Sequence, residues 1–418
     1  MRILNTLTIA AILVASGLPQ LSGRTWTSNT GTKLEAELLG FDGREVRLKL
    51  SSGSEARVPV SRLSPADQEF LRNTPSAAQA RAVEPAWPGV IKVAERSLEI
   101  ALTKENPSQR EFIYQSEAFE FSSQAKLAGS VMKEVARTFE STRQLIDAMP
   151  WSLVCKPPEG AQRFIAKLYE TRADYVNDGG PELSGGVYNS GDKIFRVPFP
   201  SLGLVQRGKT YFKDDGYDSG TLVHEITHQL MDEYLPFLPV WVIEGTAEYV
   251  EMLPFRAGTF RADDHRAAMK RDVDQWLKNE DWEPSIDELD AMLKMTRASW
   301  NEACANASSM RRMYHRALLM VYYFSHLDGD GKGSGFIAFM GRIAAEAAAM
   351  RKFFADPRVK QLGGGRFSYP RDFPPPDTDP DSAPFKHLGL LTGDRPASTI
   401  AQTMTAAYKA MGVKVSIR

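Results

Sequence analysis

The chain has 418 residues and nearly balanced charge, with 51 lysines and arginines against 52 aspartates and glutamates. This length is sufficient for two or three domains with sizeable cores. Because there is no excess of positive charge, the composition argues against a nucleic-acid partner. The hydrophobic content of 43% is ordinary for a globular protein.

The start of the chain has the layout of a secretory signal peptide, predicted over residues 1–23. A positive residue precedes an apolar stretch from Leu7 to Leu18, and cleavage is expected after Gly17 or Gly23. The alternative is an N-terminal membrane anchor, but the apolar run is short and Pro19 interrupts it. We therefore expect an exported protein, periplasmic or extracellular, without a stable membrane span.

The chain has two cysteines, Cys155 and Cys304, which are too few for a disulfide framework or a metal cluster. Outside the cytosol they could form one disulfide, although their sequence separation says nothing about their distance in space. The alternative is that each is a small buried residue. The sequence leaves both alternatives open.

Residues 24–72 alternate short apolar and polar runs with glycines between them, which predicts short antiparallel strands closing into a small barrel. The candidate strands are Lys33 to Leu39, Glu45 to Leu50 and Ala56 to Val60, with Gly31, Gly40, Gly43 and Gly53 at the gaps. The residues that carry a family resemblance are Arg24-Thr25-Trp26, Gly31, Glu35-Ala36, Gly40, Val46, Leu48-Lys49, Val58-Pro59 and the segment Leu63 to Phe70. In these positions the region resembles the Sla-type homology domain, an SH3-like barrel. The resemblance implies a protein or peptide partner, with Trp26 either a binding aromatic or a core residue.

Beyond this region, residues 73–89 are rich in Ala, Pro and Ser without periodicity, which predicts a linker. A second domain is expected over 90–360, with a mixture of strands and helices typical of an α+β fold. Its predicted strands lie within Phe112 to Phe121, Phe164 to Tyr169 and Gly185 to Phe199, and its predicted helices are Lys126 to Met149 and Tyr314 to Leu327. Residues 361–418 are predicted as a Pro-rich surface loop, Arg366 to Phe385, and a helical tail, Ser398 to Met411.

The most informative segment reads His224-Glu225-Ile226-Thr227-His228. On a helix, residues i and i+4 share a face, so both imidazoles can bind one metal ion. The apolar period around the histidines predicts such a helix, with Asp218 or Ser219 as its N-cap. Pro236 and Pro239 are expected to end this helix and to set up a second one.

The second helix carries Glu244 within the run Trp241-Val242-Ile243-Glu244-Gly245-Thr246-Ala247-Glu248-Tyr249. A carboxylate from this helix supplies a third ligand and leaves one coordination position open, which is the pattern of a catalytic zinc site. Spacing alone does not decide between Glu244 and Glu248, because both lie on one helical face. The alternative for the whole motif is a surface helix with solvated His and Glu side chains.

These two segments make the region from Val90 to Gly335 resemble the gluzincin metallopeptidases, and more closely their peptidase MA-like bacterial families. The resemblance implies a Zn²⁺ ion held by His224, His228 and Glu244. It also implies that Glu248 supports a ligand imidazole through the outer N–H of that ring. The rival assignment exchanges the roles of the two glutamates.

The same resemblance assigns catalytic roles. Glu225, between the histidines, is implied as the general base that takes a proton from zinc-activated water. Tyr314 lies in a segment that resembles the source of an oxyanion-stabilising tyrosine, although it is equally a candidate packing residue; His315 and His326 are lesser candidates. The strand at Gly185 to Tyr188 resembles the edge strand above the metal, which can pair with an extended peptide, but its glycines also suit a hairpin.

Together these features favour an exported zinc metallopeptidase acting on a peptide or protein substrate, with an N-terminal barrel that binds a protein partner. The chain lacks the Gly-x-Met-Glu-Asn motif of the aminopeptidases, which favours endopeptidase action. One alternative is a catalytically silent scaffold protein that retains the metal site. Another is a zinc hydrolase that acts on a non-peptide amide.

Overall fold

The computed structural model describes residues 24–41, 45–50, 55–73, 86–214, 216–279, 282–363, 366–393 and 395–418. The predicted signal peptide, 1–23, and most of the predicted linker lie outside these described residues, as do Gly43 and Gly53. The chain divides into two compact units, Met1–Ala86 and Trp87–Arg418.

The N-terminal unit contains a four-stranded antiparallel sheet in which each strand pairs with the next along the chain. Its elements are β1 (Arg24–Thr27), β2 (Lys33–Phe41), β3 (Glu45–Leu50), β4 (Glu55–Pro59) and, after them, helix α1 (Pro65–Asn73). The three strands predicted from the sequence are confirmed with small differences at their ends. The sequence pattern does not predict β1 or α1.

Trp26 belongs to the core of this unit. Its side chain is 1% exposed, and its indole N–H donates to the carbonyl oxygen of Ala36 at 3.1 Å. Asp67, near the start of α1, is also buried and accepts hydrogen bonds from the backbone N–H of Thr27 and the guanidinium of Arg24. The Asp67 bonds hold α1 against β1. The burial of Trp26 and its bond to Ala36 give Trp26 a core role instead of a binding role.

The C-terminal unit is built on a six-stranded sheet with the order β10-β11-β9-β8-β7-β6. Its strands are β6 (Ala101–Asn106), β7 (Glu111–Gln115), β8 (Phe119–Ser123), β9 (Phe164–Tyr169), β10 (Val187–Asn189) and β11 (Ile194–Pro198). Strand β9 runs parallel to β8 and β11, and the other pairs are antiparallel. The region Gly185 to Phe199, predicted as a strand whose glycines also suit a hairpin, is therefore a hairpin, and its first strand forms the sheet edge.

Helix α2 (Gly129–Ala148) packs on this sheet. Its apolar residues recur at helical spacing and are buried, as the amphipathic pattern predicts. Phe139 is fully buried and meets Phe119, Phe121 and Phe195 edge-on at centroid distances of 5.1–5.5 Å. Such a buried phenylalanine typically contributes about 3–5 kcal/mol relative to alanine, so this cluster holds α2 against the sheet.

The remaining helices follow the sheet strands along the chain. They are α3 (Arg172–Asn177), α4 (Gly220–Leu230), α5 (Val240–Met252), α6 (His265–Asn279), α7 (Leu289–Leu293), α8 (Arg297–Ala303), α9 (Ala307–His326), α10 (Ser334–Ala355), α11 (Gly389–Thr392) and α12 (Ala397–Met411). One smaller sheet has three strands, β5 (Val90–Lys92), β14 (Phe255–Arg256) and β15 (Thr259–Arg261). Three others are strand pairs: β12 (Leu204–Arg207) with β13 (Thr210–Lys213), β16 (Ser285–Ile286) with β19 (Ser416–Ile417), and β17 (Lys360–Gly363) with β18 (Arg366–Ser368). Within the described residues, no helix is both long and apolar enough to cross a membrane.

The C-terminal helix α12 is part of the core and not an appended tail. Ile400, Met404 and Tyr408 are fully buried, and the Tyr408 hydroxyl donates to the carbonyl oxygen of Leu319 at 2.7 Å. Strand β19 then pairs in parallel with β16. Residues 361–418, which the sequence separates from the preceding domain, thus pack within the same compact unit.

Helices α5 and α9 approach each other closely at Gly245. A Cβ atom at this position would lie 2.4 Å from the carbonyl oxygen of Ala317. Backbone atoms cannot move aside as a flexible side chain can, so the approach requires glycine. The contact sets α5, which carries Glu244, against α9, which carries Tyr314.

We expect Gly245→Ala to lower the free energy of unfolding by about 1–3 kcal/mol, because the added methyl group forces α5 and α9 apart. Chemical denaturation followed by circular dichroism measures this change. Gly341→Ala on α10 is the matched control, since a Cβ there meets nothing within 4 Å. Alanine is favoured over glycine inside a helix by about 0.5–1 kcal/mol. Equal stability of the two variants would contradict the proposed constraint.

Candidate metal centre

Helix α4 carries the two histidines of the motif. It begins at Gly220, whose backbone N–H donates to the Asp218 carboxylate at 2.9 Å, whereas the side chain of Ser219 makes no cap hydrogen bond. The helix ends at Leu230, before both prolines, so the prediction that Pro236 and Pro239 end it is wrong. Pro239 is the N-cap residue of α5, as expected of a proline that sets up the second helix. Pro236 lies inside a separate 3₁₀ segment, Asp232–Phe237.

The three residues predicted as metal ligands lie close together. Nε2 of His228 is 3.3 Å from Oε2 of Glu244, and Nε2 of His224 is 3.7 Å from the same oxygen. Donor atoms of all three residues lie within 4.8 Å of one another. Two imidazole nitrogens and a carboxylate oxygen form a donor set that zinc takes in catalytic sites. These residues therefore fit a zinc ion.

The other ring nitrogen of His224 faces two carboxylates. Nδ1 lies 3.0 Å from Oε2 of Glu251 and 3.3 Å from Oε1 of Glu248. A carboxylate at this outer nitrogen fixes the tautomer and the orientation of a ligand imidazole. The sequence assigns this role to Glu248 and misses Glu251, which makes the shorter contact. The sequence could have indicated Glu251, because it lies three residues after Glu248 on the same face of α5.

A second group of possible ligands consists of His224, Glu248 and Glu251. This group contains one histidine and leaves His228 without a role. The group with Glu244 uses both histidines of the motif through nitrogens that point to one oxygen. Geometry thus favours Glu244 as the third ligand.

Buried carboxylates stabilise positive charge at this centre. Burial acts to lower the pKa of His224, but the neighbouring carboxylates of Glu244, Glu248 and Glu251 hold that pKa well above its usual range. Burial acts to raise the pKa of Glu244, yet His228 and His224 hold it well below its usual range. Because a metal binds the neutral imidazole, protons compete with the metal at His224. We therefore expect metal affinity to fall as the pH is lowered.

The acidic groups behind His224 repel one another. Burial raises the pKa of Glu248, an effect that His224 opposes and Glu251 reinforces. Burial, together with the charges of Glu248 and Glu251, raises the pKa of Asp272 on α6 to about 7. This side of the centre therefore favours protonated carboxyl groups or a nearby cation.

Glu225 is hydrogen-bonded to the edge strand of the six-stranded sheet. It is half-buried on α4, and its Oε2 accepts the backbone N–H of Tyr188 at 3.1 Å. Tyr188 lies in β10, so this bond orients the candidate base relative to the edge strand. The sequence indicates the candidate base and the edge strand, whereas the hydrogen bond between Glu225 and Tyr188 follows only from the fold.

Tyr314 on α9 lies beside the metal centre and also packs there. Its ring stacks on that of His224 with centroids 5.8 Å apart and on Trp300 with centroids 6.0 Å apart. Burial and the charge of Glu244 raise the pKa of Tyr314 well above its usual range. The hydroxyl, which an ordinary tyrosine also keeps protonated at neutral pH, can act as a donor.

His315 and His326 are part of aromatic clusters. The ring of His315 stacks on Trp276 at a centroid distance of 3.9 Å, and burial lowers its pKa to about 3. His326 stacks on His265 at 4.0 Å, and its Nε2 lies 2.9 Å from the Tyr249 hydroxyl. These contacts give both histidines packing roles.

Arg297 is a basic group at the centre that no sequence pattern indicates. Its Nη1 lies 3.5 Å from Oε1 of Glu244, whereas the two histidine contacts involve Oε2 of that carboxylate. The Arg297 side chain is 50% exposed, whereas that of Glu244 is 9% exposed. Arg297 reaches the centre only through the tertiary position of α8.

The two cysteines, Cys155 and Cys304, are both half-buried and are not joined in a disulfide. Burial and the charge of Glu244 raise the pKa of the Cys304 thiol. The structure therefore contains no disulfide between them, and Cys304 stays protonated near the centre.

We expect Glu244→Gln to weaken zinc binding more than either Glu248→Gln or Glu251→Gln does. Loss of a partner of a ligand imidazole typically costs about 10–100-fold in metal affinity, and loss of a ligand removes a coordinating charge as well. Competition titration against a chromophoric chelator at fixed pH measures the three affinities. A larger effect of Glu248→Gln would instead support the rival assignment.

Comparison with known protein families locates one match, to residues 19–78, with the family model of SLA1 homology domain 1. The matched range includes the sheet and α1 of the N-terminal unit and extends beyond 24–72 on both sides. No curated protein matches the chain. The N-terminal unit thus contains an SLA1 homology domain 1, and the predicted resemblance in this region is confirmed.

Proposed function

We propose that the protein is an exported zinc metallopeptidase of the gluzincin type. The observation that carries the proposal is the set of donor atoms from His224, His228 and Glu244 within 4.8 Å of one another. The position of Glu225 on the same helix, hydrogen-bonded to the edge strand, supports it further. Two histidines, one ligand carboxylate and a separate candidate base are the groups that metal-assisted amide hydrolysis requires.

His224, His228 and Glu244 would hold the zinc ion. When bound, zinc supplies Lewis-acid polarisation and lowers the pKa of water to about 7. Glu225 would accept a proton from the attacking water and deliver it to the leaving amine. The Tyr188 N–H, which donates to Oε2 of Glu225 at 3.1 Å, would keep that carboxylate oriented during both transfers.

Tyr314 would stabilise the negative charge that develops on the carbonyl oxygen of the substrate. Its raised pKa keeps the hydroxyl protonated, and its ring lies against His224. A donor aimed at a developing oxyanion contributes typically about 3–4 kcal/mol of transition-state stabilisation. The stacking on His224 and Trp300 would restrict the ring and so reduce the entropy lost when it donates.

Strand β10 would align an extended peptide substrate. It is the edge strand of the six-stranded sheet and pairs with β11 on one side. Apart from the Tyr188 N–H, which donates to Glu225, the main-chain groups on its other side would make hydrogen bonds of the kind used in strand addition. The link from Tyr188 to Glu225 would then couple substrate alignment to the position of the base.

The N-terminal SLA1 homology domain 1 would recruit a protein partner or hold a protein substrate. This role rests on the SH3-like type of the domain and on the matched range 19–78. Export rests on the predicted signal peptide over 1–23. A catalytically silent scaffold that binds both metal and protein is the second candidate, and the attached domain favours it.

We expect Glu225→Gln to retain stoichiometric zinc and to lower the rate of peptide cleavage by about 10²–10⁴-fold, because the glutamine amide cannot accept the proton. Metal analysis and cleavage of a peptide library measure the two effects. Glu159→Gln, at an exposed position, is the control for loss of a surface carboxylate.

Unchanged cleavage by Glu225→Gln would contradict the assigned base. Absence of stoichiometric zinc in the wild type would contradict the metal centre. Zinc without turnover of any peptide would favour the scaffold alternative.

A further inference from the structure

We propose that Arg297 makes this site select substrates that carry a carboxylate beside the bond to be cleaved. The inference deepens the proposed peptidase function and rests on it. Arg297 would be a specificity-determining residue, and its partner would be either the free C-terminus of a peptide or the side chain of an Asp or Glu.

The position of Arg297 is fixed by its helix. It is the first residue of α8, directly after the N-cap Thr296, whose side chain accepts the backbone N–H of Ser299 at 3.2 Å. Such a cap fixes the first helical turn. The guanidinium therefore extends from an ordered backbone position next to Glu244.

The contact with Glu244 is weak for an arginine–carboxylate pair. Its distance is 3.5 Å, whereas strong charge-assisted hydrogen bonds have N–O distances of about 2.7–2.9 Å and are often bidentate. An arginine serving only to neutralise Glu244 would be expected to bury itself against that buried carboxylate. Arg297 instead leaves half of its side chain exposed.

The exposed part of Arg297 is chemically suited to a second carboxylate. The planar guanidinium carries several N–H donors, and the ion pair with Glu244 involves Nη1. The remaining donors can take a carboxylate in the bidentate geometry that arginine favours over lysine. Because Arg297 is more exposed than Glu244, such a carboxylate would reach it from the solvent side of the centre.

The contact between Arg297 and Glu244 indicates which substrate carboxylate would fit. Arg297 lies 3.5 Å from an oxygen of a candidate ligand of the metal that would act on the cleaved bond. A carboxylate held by Arg297 would therefore belong to a residue close to that bond. A free C-terminus there gives exopeptidase action, and an acidic side chain gives endopeptidase action at acidic residues.

The test uses the zinc-loaded full chain and four matched peptides. One has a free C-terminus, the second is its C-terminal amide, and the third and fourth are amidated with an internal Asp or Asn. We expect the wild type to favour a carboxylate peptide over its neutral match by about 10- to 100-fold in kcat/KM. The pair that shows the preference identifies the source of the carboxylate.

Arg297→Gln is expected to bring the kcat/KM ratio between a carboxylate peptide and its neutral match close to one. Arg297→Lys is expected to retain only part of the preference, because lysine lacks the bidentate fork. Zinc content is measured alongside. If Arg297→Gln lowers kcat/KM equally for both members of a pair, Arg297 acts on Glu244 and the proposed selectivity is wrong. A wild type without any preference overturns it as well.

A binding measurement separates this inference from the peptidase function. Calorimetric titration of the same peptides into zinc-loaded Glu225→Gln protein needs no turnover. Tighter binding of the carboxylate peptide, lost in the Glu225→Gln/Arg297→Gln double variant, supports the inference even if no peptide is cleaved. Equal binding of charged and neutral peptides contradicts it, whatever the activity of the wild type.

Discussion

The close contact between Gly245 and the carbonyl oxygen of Ala317 is the constraint on which the candidate metal centre depends. A Cβ at Gly245 would lie 2.4 Å from that oxygen, so α5 and α9 can pack at this distance only with glycine there. Glu244 precedes Gly245 on α5, and Tyr314 lies one turn before Ala317 on α9. The separation of the two helices therefore sets the separation of a candidate ligand and a candidate oxyanion donor.

The charges at the centre are arranged around His224. Glu244 faces its Nε2, and Glu248 and Glu251 face its Nδ1. Burying several carboxylates together is costly unless a cation shares the site, and a metal ion bound to His224 would offset this cost on both sides. Arg297 adds a half-exposed positive group beside Glu244.

Local patterns predicted the parts of the site that lie within one helix, and tertiary contacts supplied the rest. The i, i+4 spacing and the apolar period predicted α4 because both are properties of a single helix. The predicted end at Pro236 and Pro239 was wrong because the helix already ends at Leu230, and Pro236 lies in the 3₁₀ segment that follows. The pattern of Gly185 to Phe199 left a strand and a hairpin both open, because only the fold shows the turn, closed by a hydrogen bond from Lys193 N–H to the Asn189 carbonyl. Arg297 could not be predicted because only the packing of α8 brings it to Glu244.

X-ray absorption at the zinc edge of the purified full chain tests most directly whether two histidines and Glu244 hold one zinc ion. We expect stoichiometric zinc with two imidazole nitrogens and oxygen ligands at about 2.0–2.2 Å. One imidazole with several carboxylate oxygens would contradict it and would favour His224, Glu248 and Glu251. Sulfur at about 2.3 Å, or no stoichiometric zinc, would contradict both ligand sets.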